Sequence, residues 1–393
     1  MHSIMTIAEK SINDAKSNTL LVLLYFFQYG LLIPITVVMR GQYPIAIFTV
    51  LLFCYALVNN RIIISSYSAL SFILPLSVLI TKLPFERYVA ETNVAMELII
   101  SFFAIGMSGI LIGSLRFSQD HFLSYGYKLG LLNFFLLGAI PFTSLYLDEI
   151  NYMRFGYAIL PTVIFSFLFL FRDNNKKWTF IVFCLSFAEL LLFGARGAML
   201  TFILFALIYL FFISDVSKKI KLYILFFLFL IGASLKFVLE YLLESLDTFG
   251  LYSYSLTKYL NLFNGDSLAS TSSGRDDIYG LAFKRIDESF WFGSPLNTCF
   301  IDTGSTYYHN IILDILVNFG VIGFAFFFLF IFYNIFKVVS STSKERKMIF
   351  FVLFLIAMGR LFVSSSFWQR PEFWIFVGYC VNYTSKKFDI STV

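Results

Sequence analysis

Three stretches of this sequence carry side chains suited to gripping an anion and moving a proton: "LLLFGARGAML", "SGRDDIYG" and "STYYHNIILD". Arg196 and Arg275 each present a planar guanidinium whose forked donors match phosphate oxygens in pairs. Neither can take up a proton, because a guanidinium stays charged at any pH a protein meets. Ser273, three residues before Asp276, reads as a capping-box-like helix start, which would aim backbone N–H groups at whatever lies beside Arg275. His309 is one of only three histidines and stands at the mouth of a long apolar run. Either it marks where a helix leaves an apolar layer, or it moves protons. Ionisable groups inside apolar runs are costly and count as candidates by default. Here they are Glu97, Glu189, Asp314 and Arg360. Glu189 lies seven residues before Arg196. On a helix that is nearly the same face, about 10 Å along the axis, and the expectation is that it orients the arginine.

The elements that must hold these residues are membrane helices. The chain has 393 residues, 59% hydrophobic and only 13% charged, where soluble domains carry roughly 25% charged residues. Mean hydropathy is +0.81. The net charge of +5 sits in short clusters between apolar segments, the pattern that sets membrane topology, so a nucleic-acid partner is not expected. Cys54, Cys184, Cys299 and Cys380 form no CxxC pair and imply neither a disulfide framework nor a metal cage. The polar first 18 residues lead into an apolar run too long for a signal-peptide core, and read as an uncleaved cytoplasmic tail.

A helix needs about 20 apolar residues to cross the hydrocarbon layer. Spans are expected at 20–38, 43–58, 62–80, 94–114, 128–146, 155–171, 178–193, 198–213, 220–236, 309–336, 348–366 and 372–384. The chain thus reads as an all-α polytopic protein with about twelve transmembrane helices, one membrane domain over 1–393. One face carries "RDNNKK", "SDVSKKIK", "KVVSSTSKERK", Lys386 and Lys387. By tally it holds about 17 lysines and arginines against about 6 in the short loops opposite, which puts both termini in the cytoplasm. The long polar segment 237–308 then lies outside. It opens with Leu235, Val238, Leu239, Leu242, Leu243 and Leu246 at helical spacing, an amphipathic helix expected to lie on the bilayer or over a cavity mouth. Tyr241, Tyr252, Tyr254, Tyr259, Tyr279, Trp291, Tyr307 and Tyr308 crowd the segment; such aromatics stack on sugar rings or form an interfacial belt.

Taken together, Gly194-Ala195-Arg196-Gly197 in a tight outer turn, Ser273-Gly274-Arg275, "FWFGSPLN" with Gly293, and His309-Asn310 leading into "LVNFGVIG" resemble the O-antigen polymerase and ligase superfamily of bacterial surface-polysaccharide assembly. Ala195 stands where that family usually has a small polar residue. The resemblance implies a membrane glycosyltransferase with a GT-C-like helical bundle and one large periplasmic loop, sited in the bacterial inner membrane with its active site facing the periplasm. It implies no metal and no cofactor. The partners implied are an undecaprenyl-pyrophosphate-linked oligosaccharide, membrane lipid and a chain-length regulator protein.

By the same resemblance His309, Arg275 and Arg196 would be catalytic. Arg196, Arg275, Asn310, Tyr308, Ser273 and Gly274 would bind substrate, with Glu189, Asp314 and Arg360 in support. The chemistry agrees: departure of a polyprenyl pyrophosphate builds negative charge for the arginines to meet, and attack by a sugar hydroxyl needs a base. His2 and His121 fall on the cytoplasmic side of this topology, which leaves His309. The expected activity is polymerisation. A ligase that delivers finished glycan to lipid A core shares donor and leaving group. A flippase or exporter would show internal repeats and polar groups along its spans rather than one large one-sided loop.

Overall fold

The computed structural model describes residues 2–39, 43–59, 92–115, 118–143, 152–172, 176–251, 253–264, 275–296 and 298–384. The expected span 62–80, Ser273, Gly274, Tyr252, Lys386 and Lys387 lie outside these residues.

Every described element is helical. In order come α1 (His2–Val38), α2 (Tyr43–Asn59), α3 (Thr92–Ser101), α4 (Ser108–Gly113), α5 (Gln119–Leu137), α6 (Tyr152–Phe169), α7 (Lys176–Phe193) and α8 (Arg196–Ile208). A single π-turn, Phe102–Met107, joins α3 to α4. Next are α9 (Lys218–Thr248), α10 (Tyr254–Phe263), α11 (Arg275–Glu288), α12 (Thr298–Thr303), α13 (Ile311–Val339), α14 (Lys344–Leu361) and α15 (Pro371–Thr384). Among the described residues, five segments are long and apolar enough to cross a membrane: Asp14–Val38, Asp120–Phe142, Tyr152–Phe169, Arg196–Ile213 and Ile311–Val339. Pro44–Val58, Glu97–Gly113 and Pro371–Val381 are shorter apolar helices. This content fits a polytopic membrane protein.

The chain forms two compact units. The first comprises Met1–Gln28, Gln42–Tyr125 and Arg275–Val393. Here α4 and α15 meet backbone to backbone, because Gly109, Gly113 and Gly378 carry no side chain to hold them apart. A Cβ on Gly113 would fall 2.2 Å from the Ile375 carbonyl oxygen, and one on Gly378 the same distance from that of Ile110. The ring of Phe102 meets Trp368 and Trp374 edge-on at 6.0 and 5.3 Å between centroids, in the geometry that aromatic quadrupoles favour.

The expected span 309–336 is not one uninterrupted helix. At Gly320 the backbone takes φ 64° and ψ −171°, a region open to glycine alone. The break strands backbone groups that an apolar layer cannot satisfy. The "FWFGSPLN" loop meets them: Val321 N–H donates to the Phe290 carbonyl at 2.9 Å, and Ser294 N–H to that of Val317 at 2.6 Å. A Cβ on Gly320 would come within 2.3 Å of the Trp291 carbonyl oxygen, so glycine is required twice over.

The second unit comprises Tyr29–Gly41 and Gly126–Gly274. Asn133, fully buried on α5, donates to the Ala158 carbonyl and the Thr162 hydroxyl of α6, both at 2.9 Å. The amphipathic stretch that opens the long loop is the continuous end of α9. Its stripe of Leu239, Leu242, Leu243 and Leu246 is covered by Leu256, Tyr259 and Leu260 of α10 and by Leu192. Helix α10 therefore occupies the face that was expected to meet lipid or a cavity mouth.

Candidate active site

In the second unit, Arg196 is the first residue of α8. The turn that carries it is held from two sides. Helix α6 comes so close that a Cβ on Gly156 would lie 2.3 Å from the Ala195 nitrogen. From the other side the hydroxyls of Ser253 and Ser255 donate to the carbonyls of Leu192 and Gly194. Ser253 also caps α10 by accepting the Leu256 N–H at 3.1 Å. Ser253 thus both starts α10 and, with Ser255, holds the arginine's turn. Tyr259, on α10, is close enough for the two groups to act on each other: burial pushes its phenol up to about 12, and the Arg196 guanidinium pulls the other way. Glu189 is half-buried, with one carboxylate oxygen against Gly138 and the other without a hydrogen-bond partner among the described residues.

In the first unit, Arg275 is the first residue of α11 and His309 lies just ahead of α13. His309 has φ 59°, the left-handed region that side chains with a Cβ adopt sparingly. Burial, and after it the Arg275 guanidinium, push its imidazole down from the ordinary 6.5 to about 4, so the ring is neutral at physiological pH. Its Nδ1 is buried without a partner among the described residues.

The neighbours of His309 have distinct placements. Tyr307 meets its ring at 4.5 Å between centroids. Burial raises the Tyr307 phenol, the charges of Arg370 and Arg360 act against the rise, Asp314 adds to it, and Arg275 acts against it least. Three guanidiniums therefore bear on the side chain next to the histidine. Arg360 is 8% exposed in the last turn of α14, and Arg370 donates through Nε to the Ser365 hydroxyl. Tyr308 is fully buried, its hydroxyl donating to Asp302 at 3.2 Å and its N–H to Asp314 at 2.6 Å. The other Asp314 oxygen is buried without a partner among the described residues. The Asn310 side chain caps α13 by accepting the Ile312 N–H at 2.9 Å. Glu97 is exposed and accepts from Gln369 at 3.1 Å.

The first unit thus brings together Arg275, His309, Asp314, Arg360 and, unforeseen from the sequence, Arg370. The signal for Arg370 was present. It stands in a short loop on the face expected to be poor in positive charge. Arg285 was also missed. Its guanidinium meets Asp302 in a bidentate pair, Nε at 2.9 Å and Nη2 at 2.6 Å. Nothing local announces a pair between residues 17 apart in different elements. Among the described residues no group of three His, Cys, Asp or Glu side chains is placed to hold a metal ion.

Among the described residues, then, the first unit sets a histidine held neutral beside guanidiniums within an all-helical, apolar framework. Residues 180–328, less than half of the chain, match the family model described as O-antigen ligase, a match that supports the resemblance to the O-antigen polymerase and ligase superfamily. The match runs through Arg196, Arg275, His309 and the break at Gly320. No curated protein and no solved structure matches the chain.

Proposed function

We propose that the chain is a surface-polysaccharide polymerase of the bacterial inner membrane, with about twelve spans in a GT-C-like bundle and its active site on the periplasmic side. It transfers a growing glycan from undecaprenyl pyrophosphate to the non-reducing end of another lipid-linked repeat unit, without a metal or other cofactor; a chain-length regulator protein is a proposed partner. The observation that carries the reading is the neutral, half-buried His309 beside Arg275.

The acceptor hydroxyl oxygen attacks the anomeric carbon as the bond from that carbon to the pyrophosphate oxygen breaks. The hydroxyl proton passes to Nε2 of His309, which later returns it to water. The lipid pyrophosphate leaves with its bonding electrons, and its charge is met by Arg275, with Arg360 and Arg370 adding to the field around Tyr307. Keeping the imidazole neutral before the step is what a base requires.

Transfer of the glycan to lipid A core is the second reading, favoured by the description of the matching family as a ligase. The two share donor and leaving group, so the arginines do not separate them. The glycans of a strain lacking the gene do. Surface glycan capped with a single repeat supports the polymerase; long polymer accumulating on the lipid carrier supports the ligase and overturns the first reading.

A further inference from the structure

We propose that Asp302 is a positioning residue for His309, acting through Tyr308, and that the Arg285–Asp302–Tyr308 strut sets the arginine of α11 and the histidine in register. The inference rests on the reading of His309 as the base and adds to it the group that holds the base in place.

Asp302 lies in the last turn of α12, and its side chain is only 7% exposed. One face of its carboxylate takes the bidentate Arg285 fork, and Oδ2 also takes the Tyr308 hydroxyl. The third guanidinium nitrogen, Nη1, donates to Glu288 at 2.8 Å. The buried Tyr308 ring packs with Ala282 and Ile286 of α11, Cys299 of α12, and Leu313 and Val317 of α13. Tyr308 is therefore fixed at ring, hydroxyl and, through Asp314, backbone amide. On the other side of His309, Asn310 is fixed as the cap of α13. His309 is the single residue between two anchored neighbours, and its left-handed backbone is of the kind that persists only where the surroundings over-determine it.

Arg285 and Arg275 belong to the same helix, about 15 Å apart along its axis. Clamping Arg285 to Asp302 therefore holds α11, with the cation at its start, against the segment that carries the histidine. Misplacing a base by an ångström costs the chemical step more than binding. Asp302 never meets substrate in this account; it acts on kcat through the residue it positions.

The test uses the full-length protein in lipid nanodiscs with lipid-linked repeat units, and reads kcat and KM for Asp302→Asn, Tyr308→Phe and the double variant. Asp302→Asn keeps the shape and one good acceptor, and Tyr308→Phe keeps the buried ring. The expected result is a fall in kcat of about 100-fold for Asp302→Asn, with KM unchanged, and a smaller fall for Tyr308→Phe. The double variant should be no slower than the slower single one, because both cut the same strut. Unchanged kcat in Asp302→Asn, losses that multiply, or an effect on KM alone would overturn the proposal. If thermal unfolding shows Asp302→Asn to be misfolded, Tyr308→Phe alone decides, since unchanged kcat there removes the strut from the mechanism. His309→Ala in the same assay separates the two ideas. Near-normal turnover there removes the base, and with it anything to position; a dead His309→Ala beside multiplying losses removes only the role of Asp302.

Discussion

The Asp314 carboxylate accepts the backbone N–H of Tyr308 at 2.6 Å, tying the end of the loop to the first turn of the helix that the loop enters. An aspartate there also faces the positive end of the helix. Between these two residues lies His309, which inherits a fixed backbone from them and a neutral ring from its burial and from Arg275.

That neutrality has a sign and a pH window. The folded protein holds the imidazole near 4, below the ordinary 6.5, so the unfolded chain binds the proton more readily between those values. The contribution of His309 to stability is complete above pH 6.5 and is lost as the pH falls through 4. The acid limb of kcat/KM, which reports the free enzyme, should accordingly fall near pH 4. An acid limb at 6.5 in the pH–rate profile would mean a solvated histidine.

Arg275→Lys should lose most activity although the charge is kept, since a lysine cannot present two parallel donors to a pyrophosphate. Arg196→Lys should behave likewise. The comparison is of polymer made per unit of inserted protein. Normal polymer from both variants would leave these arginines as helix anchors only.

Gly320→Ala should destabilise the protein by at least about 1–3 kcal/mol from the backbone conformation alone. The clash of the new methyl with the Trp291 carbonyl adds to this. Thermal unfolding in detergent measures it; an unchanged midpoint would show that α13 can run straight through the break.

The orientation can be checked apart from the chemistry. With native cysteines removed, Ser270→Cys should react with a membrane-impermeant thiol reagent added from outside, and Ser217→Cys should not. The reverse pattern would put His309 on the cytoplasmic face.

How far the sequence reached follows from what kind of signal each feature leaves. Arg196 and His309 were conspicuous as polar groups bordering apolar runs, whereas Arg275 stands in a polar stretch and was singled out only by the capping-box-like start beside it and by the resemblance. The stripe on α9 could be read too, but the partner of that stripe could not: α10 is short, and its leucines signal burial without saying against what. The break at Gly320 was hidden inside "LVNFGVIG", since glycine is common in membrane helices and leaves hydropathy unchanged. Asp302 was visible as a charge, but its pairing with Arg285 comes from packing between distant elements.

The central claim is that one chain both makes glycosidic bonds and uses His309 to do so. Purified protein given only undecaprenyl-pyrophosphate-linked repeat units, in the presence of a chelator, tests it most directly. The account predicts a ladder of lipid-linked polymer from the unaltered protein, and from His309→Ala, inserted to the same level, a rate lower by roughly 100-fold or more. No ladder from the unaltered protein, or the same ladder from both, would contradict it.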